Sequence, residues 1–297
     1  MDNSLLLCRW PWGLFWTIAA FVFGSCIGSF LNVCIYRIPR SLSVNNPRRS
    51  FCPNCRTTIA WYDNIPLLSF VLLAGRCRHC RHPIGVRYFV VETLVAVLFT
   101  LVWIQYCPPG GRHLLGLSPI GHGAIVPVFW LAVAGLVLGT FVDFDFLIIP
   151  DRVTLGGIVA GLLISPFVPA LHHAVTWYGS LLASLLGAVV GWGLLWGIAL
   201  LGRAIFRRDA MGFGDVKLLG AIGAFLGWRA VLFVVMISSF FGSVVGILLV
   251  LAGTKKLKSR IPYGPYLALA ALIWILWGQS LWNLYLNLVF PPPFREF

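Results

Sequence analysis

Charge is what this chain has least of. Only 10% of its 297 residues are charged, against about 25% in a soluble domain. So little polar surface cannot meet water over most of the chain, which excludes a soluble globular protein. Acids are scarcest: nine Asp and Glu stand against 22 Lys and Arg. There is no Gly-x-Ser-x-Gly elbow and no His-Glu-x-x-His helix, so neither a serine hydrolase of that type nor a zinc protease is indicated.

What is present is apolar sequence, 59% of residues, with a mean hydropathy of +0.90. The apolar runs are about 20 residues long and do not alternate with polar positions, which marks membrane helices. Backbone groups in lipid must be satisfied within the chain, so helices or a closed barrel are the only spanning structures. The fold class is an all-α polytopic membrane protein. Eight spans are predicted, at 15–36, 88–105, 124–142, 153–170, 179–201, 217–226, 231–251 and 265–290. The sixth is short and needs tilt, extension at its ends or burial in protein. The first is too long for the apolar region of a signal peptide and has no clear small-residue cleavage site.

The net charge of +13 does not indicate nucleic acid as a partner, because the basic residues sit in short loops between apolar runs. There they set topology. With the N-terminus outside, Arg9, Arg112, Arg229 and Arg295 fall outside and the other 18 of the 22 Lys and Arg fall inside. Both termini are therefore predicted to face outward, with the lipid bilayer as the chain's main surroundings. Small residues at Gly24, Ser25, Gly28 and Ser29 allow close helix approach, within one chain or between copies.

The predicted organisation is a first transmembrane helix at 1–36, a polar cytosolic insert at 37–87 and a seven-helix membrane domain at 88–297. The insert carries Cys52-Pro-Asn-Cys55 and Cys77-Arg-His-Cys80, with 21 residues between the pairs. Each pair brings two thiolates to one side of a tight turn, and two such knuckles complete a tetrahedral zinc site. Two disulfides are the alternative, and a cytosolic location disfavours them. Four thiolates leave no open position, so the zinc is structural. A segment of about 50 residues is too small to be held by its own core alone. His79 and His82 flank the second knuckle but are not needed as ligands. Cys8, Cys26, Cys34 and Cys107 have no ligand spacing and read as small apolar fillers.

Six of the nine acids gather at the inside face: Glu92, Asp143, Asp145, Asp151, Asp209 and Asp215. Acids at membrane depth are costly and usually face a bundle interior or a wet cavity. Asp143 ends one apolar run and Asp215 begins another. Gly212 and Gly214 leave room for an extended peptide beside Asp215. Two carboxylates brought together share a proton, one acting as acid while the other activates water. Plainer roles compete. Asp151 follows Pro150 and suits a helix N-cap. Asp145 and Asp209 suit solvated turns, and Glu92 suits a partner such as Arg87 or a loop arginine. For Asp143 and Asp215, spacing alone leaves catalysis and a structural role equally open.

At these residues the chain resembles the type IV prepilin peptidases, the membrane aspartyl peptidases and N-methyltransferases of pilus and type II secretion systems. The resemblance rests on Gly28-Ser-Phe-Leu-Asn-Val33 with Arg37-Ile-Pro39, the two cysteine pairs, and Asn64-Ile-Pro-Leu67 between them. It continues through Arg87-Tyr88 with Glu92, Asp143 to Ile149-Pro150-Asp151, Met211-Gly-Phe-Gly-Asp215 with Lys217, and Ile261-Pro-Tyr-Gly-Pro-Tyr266. It implies catalysis by Asp143 and Asp215; Gly212, Gly214 and Lys217 are expected to position substrate. It also implies cleavage after a glycine in the leader of a prepilin or pseudopilin. Methylation of the new N-terminus from S-adenosylmethionine follows. The chain departs from the family at Phe146, Phe89 and Arg76, where a polar residue, a proline and a lysine are common. The bacterial inner membrane is the implied location, with the active site at the cytosolic face. An ion-coupled transporter using Asp143 and Asp215 as a proton relay, or a noncatalytic assembly scaffold, are the alternatives from other classes.

Overall fold

The computed structural model describes residues 12–46, 49–52, 54–107, 124–207, 212–253 and 262–289. Among these the chain is helical, with two isolated antiparallel bridges and no strand. The helices are α1 (Trp12–Arg37), α2 (Leu68–Leu72), α3 (Val86–Tyr106), α4 (Ile125–Phe146), α5 (Asp151–Ile164), α6 (Trp177–Phe206), α7 (Phe213–Leu251) and α8 (Gly264–Val289). Six of them, α1, α3, α4, α6, α7 and α8, are long and apolar enough to cross a membrane.

The predicted fourth span is shorter than expected. α5 runs for 14 residues, about 21 Å of helix, against a hydrocarbon core of about 30 Å. Two 3-10 turns, Ser165–Phe167 and Pro169–His172, follow it. Pro166 and Pro169 each remove a backbone donor, so the α-helical ladder cannot continue through them. The predicted sixth and seventh spans are the two helical stretches of α7. They meet at Gly227, whose φ of 80° and ψ of 172° are not helical and suit only glycine.

The helices form two compact units, one holding α1–α4 with the insert and the other α5–α8. In the first unit α1 packs along α3 through its small residues. A Cβ on Gly24 would lie 2.8 Å from Ala96 Cα, and one on Gly28 would lie 2.7 Å from Glu92 Cα. The close approach that these residues permit is thus used within the chain. Asn32 Nδ2 donates to the Tyr88 carbonyl at 3.0 Å. Farther along, Phe99 and Trp130 stack at 5.1 Å, and Trp130 Nε1 donates to the Phe99 carbonyl.

In the second unit α7 is central and packs against α5, α6 and α8. Its first half is buried almost all round, from Asp215 to Phe225. Glycine makes this crowding possible. A Cβ on Gly187 of α6 would lie 2.1 Å from the Gly223 carbonyl oxygen, and one on Gly191 would lie 2.4 Å from that of Leu219. Gly161 of α5 meets Ala224 in the same way, at 2.8 Å. Ser184 Oγ donates to the Ala224 carbonyl at 2.7 Å, tying α6 to α7 three residues ahead of the break. His172 sits against Gly227 at that break. Burial pushes its imidazole pKa down to about 4, so the ring stays neutral.

Gly187→Ala is expected to destabilise the protein by about 1–3 kcal/mol through overpacking. Gly193→Ala, where a Cβ meets nothing within 4 Å, should be neutral or slightly stabilising through helix propensity. Thermal unfolding of the two variants in one detergent measures the difference.

Candidate functional site

The insert is built from two copies of one small device. In each Cys-x-x-Cys turn the first cysteine amide bonds to a carbonyl five residues on, Cys52 to Thr57 and Cys77 to His82. The residue after the second cysteine donates back to the carbonyl of the first, Arg56 to Cys52 and Arg81 to Cys77. Arg56 and Arg81 both take left-handed φ values, 57° and 58°. The bridges Phe51 to Thr58 and Arg76 to Pro83 close the two turns.

The four sulfurs converge. Cys52 and Cys80 Sγ lie 3.7 Å apart, Cys55 and Cys77 Sγ lie 4.0 Å apart, and all four fall within 4.8 Å of one another. A tetrahedral ion with metal–sulfur bonds of about 2.3 Å needs sulfurs about 3.8 Å apart. The donor set therefore fits a metal ion. The Asn54 side chain and the His82 amide hold the Cys80 thiol down to about 6, and the Thr57 hydroxyl and amide lower that of Cys55. Both effects favour thiolates. His79 and His82 are not part of the cluster. Arg78 forks onto both Asp63 oxygens at 2.6–3.0 Å, keeping that carboxyl below its ordinary range.

Cys107 is not an apolar filler: it is disulfide-bonded. It caps the C-terminal end of α3, whereas the four insert thiols precede the N-terminal end. Sequence spacing offered no sign of the bond, because a disulfide needs no fixed separation along the chain.

In the first unit Asp143 lies one turn from the end of α4 and is 5% exposed. It continues the buried stripe Phe129, Val133, Leu136 and Gly139 at helical spacing. Asp145, two positions on, points elsewhere and is exposed. Arg87 at the start of α3 pairs with Asp145, donates to the Phe141 carbonyl at 3.0 Å and lies over the Phe141 ring. One guanidinium thus grips α4 on either side of Asp143. The sequence offered Arg87 for topology, for a family motif and as a partner of Glu92, but not for α4, because Phe141 and Asp145 lie more than 50 residues away.

Among the described residues Glu92 pairs with neither Arg87 nor another arginine. Its Oε2 accepts the Leu67 amide at 2.9 Å.

In the second unit Asp215 stands in the first turn of α7 and is 8% exposed. Gly212 precedes that helix; a Cβ there would lie 3.3 Å from Asp215 Oδ2. A Cβ on Gly214 would lie 3.4 Å from Ile149 Cβ, so Gly214 fits beside buried Ile149. Lys217 Nζ bonds Asp151 Oδ1 at 2.6 Å and sits over the Phe213 ring at 5.2 Å. Asp151 is therefore not the N-cap of α5. Pro150 holds that position, and the Asp151 carboxylate is drawn to the lysine. The segment 149–151 and the start of α7 are joined by packing and by charge. Asp209 and Met211 lie outside the described residues.

These contacts link segments that were separate in the sequence: residues 28–32 with 88–92, 92 with 67, 87 with 141–145, and 149–151 with 214–217. Comparison with known proteins matches the same stretches. Residues 22–106 match the bacterial peptidase A24 N-terminal domain, and residues 130–247 match the type IV leader peptidase family.

The chain belongs to the type IV leader peptidase family.

A prepilin leader peptidase/N-methyltransferase of Aeromonas hydrophila is 36% identical over 93% of this chain and 95% of its own length. One from Legionella pneumophila is 30% identical over 97% and 99%. A third, from Myxococcus xanthus, is 39% identical over 81% of this chain and 65% of its own. No solved structure matches the chain.

Asp145 and Asp151 both make exposed ion pairs, and such pairs contribute about 0–1 kcal/mol. Asp145→Asn and Asp151→Asn should each lower stability by no more than that amount, and Asp145→Asn should keep measurable activity. Unfolding curves and any peptidase assay on the purified variants check both.

Proposed function

We propose that this chain is a membrane aspartyl endopeptidase that removes the short leader of type IV prepilins or pseudopilins. The observation that carries the reading is the contrast among the acids. Asp143 and Asp215 are buried at the ends of apolar helices, while Asp145 and Asp151 are exposed and held by cations. In this reading the two share one proton, so one serves as acid and the other as base. The ionised aspartate takes a proton from water. The water oxygen attacks the carbonyl carbon of the leader's final glycine. The protonated partner donates to the carbonyl oxygen, and collapse of the tetrahedral intermediate returns a proton to the departing amine. No metal takes part in these steps. Gly212, Gly214 and Lys217 position the substrate backbone near Asp215.

Both acids stand near helix ends, which suits a scissile bond at the membrane surface. A proton relay through a transporter would place them nearer mid-span. The proposed orientation puts the insert in the cytosol and both termini outside. Free thiols before α3 and a disulfide-bonded cysteine after it support that assignment, since reducing and oxidising compartments lie on opposite sides of the inner membrane.

The metal in the insert is assigned as zinc, bound by Cys52, Cys55, Cys77 and Cys80 and structural in role. The relatives' name supports a second activity, methylation of the freed N-terminal amine from S-adenosylmethionine.

Asp143→Asn and Asp215→Asn should each abolish cleavage of a coexpressed prepilin while membrane insertion and unfolding behaviour stay normal. Asn keeps the size but cannot act as base or acid. Mass analysis of the pilin N-terminus reads the result, and normal cleavage by either variant removes that residue from the mechanism.

Metal analysis of the purified protein should give one zinc per chain. The double variant Cys77→Ser/Cys80→Ser should lose it and lose methylation more than cleavage, because methyl transfer depends on donor placement and an error of about 1 Å can cost about a hundredfold. Cleaved but unmethylated pilin is the expected product. Equal loss of both activities, or full methylation, rejects the division of labour.

A further inference from the structure

The insert is not only a metal knuckle. Between its two cysteine pairs the chain travels back to α3 and lies along it. The Leu67 amide reaches Glu92 Oε2 at 2.9 Å, and Glu92 is six residues beyond Val86, the first residue of α3. At 1.5 Å per residue, that is about 9 Å along the helix axis. The Phe70 ring stacks on Phe89, with centroids 5.1 Å apart. Since α3 is a candidate span of 21 residues, about the length that fills a hydrocarbon core, the segment 67–72 runs beside its first two turns.

The outward side of this segment has the wrong chemistry for water. α2 points Phe70 toward α3, while Leu68, Val71 and Leu72 are 51%, 65% and 73% exposed. They share one face at i, i+3 and i+4. Trp61 and Tyr62, just upstream, are 80% and 51% exposed, and such rings favour the bilayer interface. From 38 to 85 the insert holds seven arginines against one acid, Asp63. Arg76 and Arg81 are exposed within ten residues of α2.

We propose that residues Trp61–Leu72 form an interfacial anchor, in which the Leu68, Val71 and Leu72 face dips into the bilayer beside α3 and the surrounding arginines meet anionic phospholipid headgroups. The occupant of this apolar face is lipid. The contacts with Phe89 and Glu92 place the face against a helix that is itself in the bilayer, and the charge of the insert complements an anionic leaflet. The position also explains a carboxylate inside an apolar span. Leu67 has a left-handed φ of 61°, and its amide points at α3. An amide at that depth has no water to bond, so Glu92 supplies the acceptor. The anchor fixes the height of the metal knuckles over the membrane, and it does so whatever reaction the chain catalyses.

The test uses the whole chain in nanodiscs of phosphatidylethanolamine and phosphatidylglycerol and needs no pilin. A benzophenone amino acid replaces Leu72 or, separately, Val71, and intact-mass analysis follows illumination. Phospholipid adducts at both positions are expected. Their absence, or crosslinks to a second copy of the chain in their place, overturns the proposal. In the Leu72-labelled chain Glu92→Leu should abolish the adduct and speed hydrogen exchange at the Leu67 amide, whereas Glu92→Gln, which keeps an acceptor oxygen, should retain both. An unchanged adduct and unchanged exchange in Glu92→Leu would reject Glu92 as the tether. If Glu92→Leu is lost from the membrane, the adducts in the unsubstituted background still decide the location of the face.

Discussion

A polar group inside this protein has almost nothing but the protein to bond to. The chain is largely apolar, and most of its length is committed to helices that meet lipid. A carboxylate, amide or guanidinium placed in those helices must find its partner within the chain or carry the full cost of desolvation. The described contacts follow from that constraint. Asn32 reaches the Tyr88 carbonyl, Glu92 the Leu67 amide, Arg87 the Phe141 carbonyl, and Ser184 the Ala224 carbonyl. Each pair joins two elements that are distant in sequence. Polar residues, being few, act here as the pins that fix how apolar helices register against one another.

Glycine does the complementary task. Apolar helices in lipid gain little from burying apolar surface against one another, so they hold together by close packing. α7 shows this most fully, with Gly187, Gly191 and Gly161 of its neighbours set against its backbone. The result is a tightly enclosed helix start that carries Asp215. The same logic operates between α1 and α3, where Gly24 and Gly28 bring the helices close enough for Asn32 to reach the Tyr88 carbonyl. Packing by small residues and bonding by polar ones are two parts of one design.

Much of this was legible in the sequence because lipid imposes coarse, local rules. Long apolar runs gave the six helices long and apolar enough to span, and the spacing of four cysteines gave the four-thiol cluster that fits a metal, since both signals are contained in short windows. What escaped were features set by distant partners or by breaks in regular geometry. α5 reads as a span by hydropathy, yet its α-helix stops at Ile164, where Pro166 and Pro169 interrupt the ladder. The 217–226 and 231–251 runs read as two spans, and the non-helical Gly227 does separate them, although both lie within α7. Glu92 lay beside candidate arginines in the sequence, but its partner is a backbone amide, which no side-chain pattern records. Cys107 gave no spacing signal for its disulfide.

The arrangement of ionic contacts narrows the choice among the acids. Arg87 bonds Asp145 and the Phe141 carbonyl, and so holds the end of α4 from both sides of Asp143. Lys217 bonds Asp151 while Gly214 seats on Ile149, and so the start of α7 is held on either side of Asp215. In each unit a cation bonds the exposed acid, and the contacts around it fix the backbone that carries the buried one. A fixed setting is what a general acid or base requires, because its reach to a substrate proton is a few tenths of an ångström wide on the scale of a hydrogen bond. The exposed acids then have a purpose without chemistry of their own: they supply the counter-charge that brings Arg87 and Lys217 to the helix ends. Burial thus divides these acids into those that hold and those proposed to react.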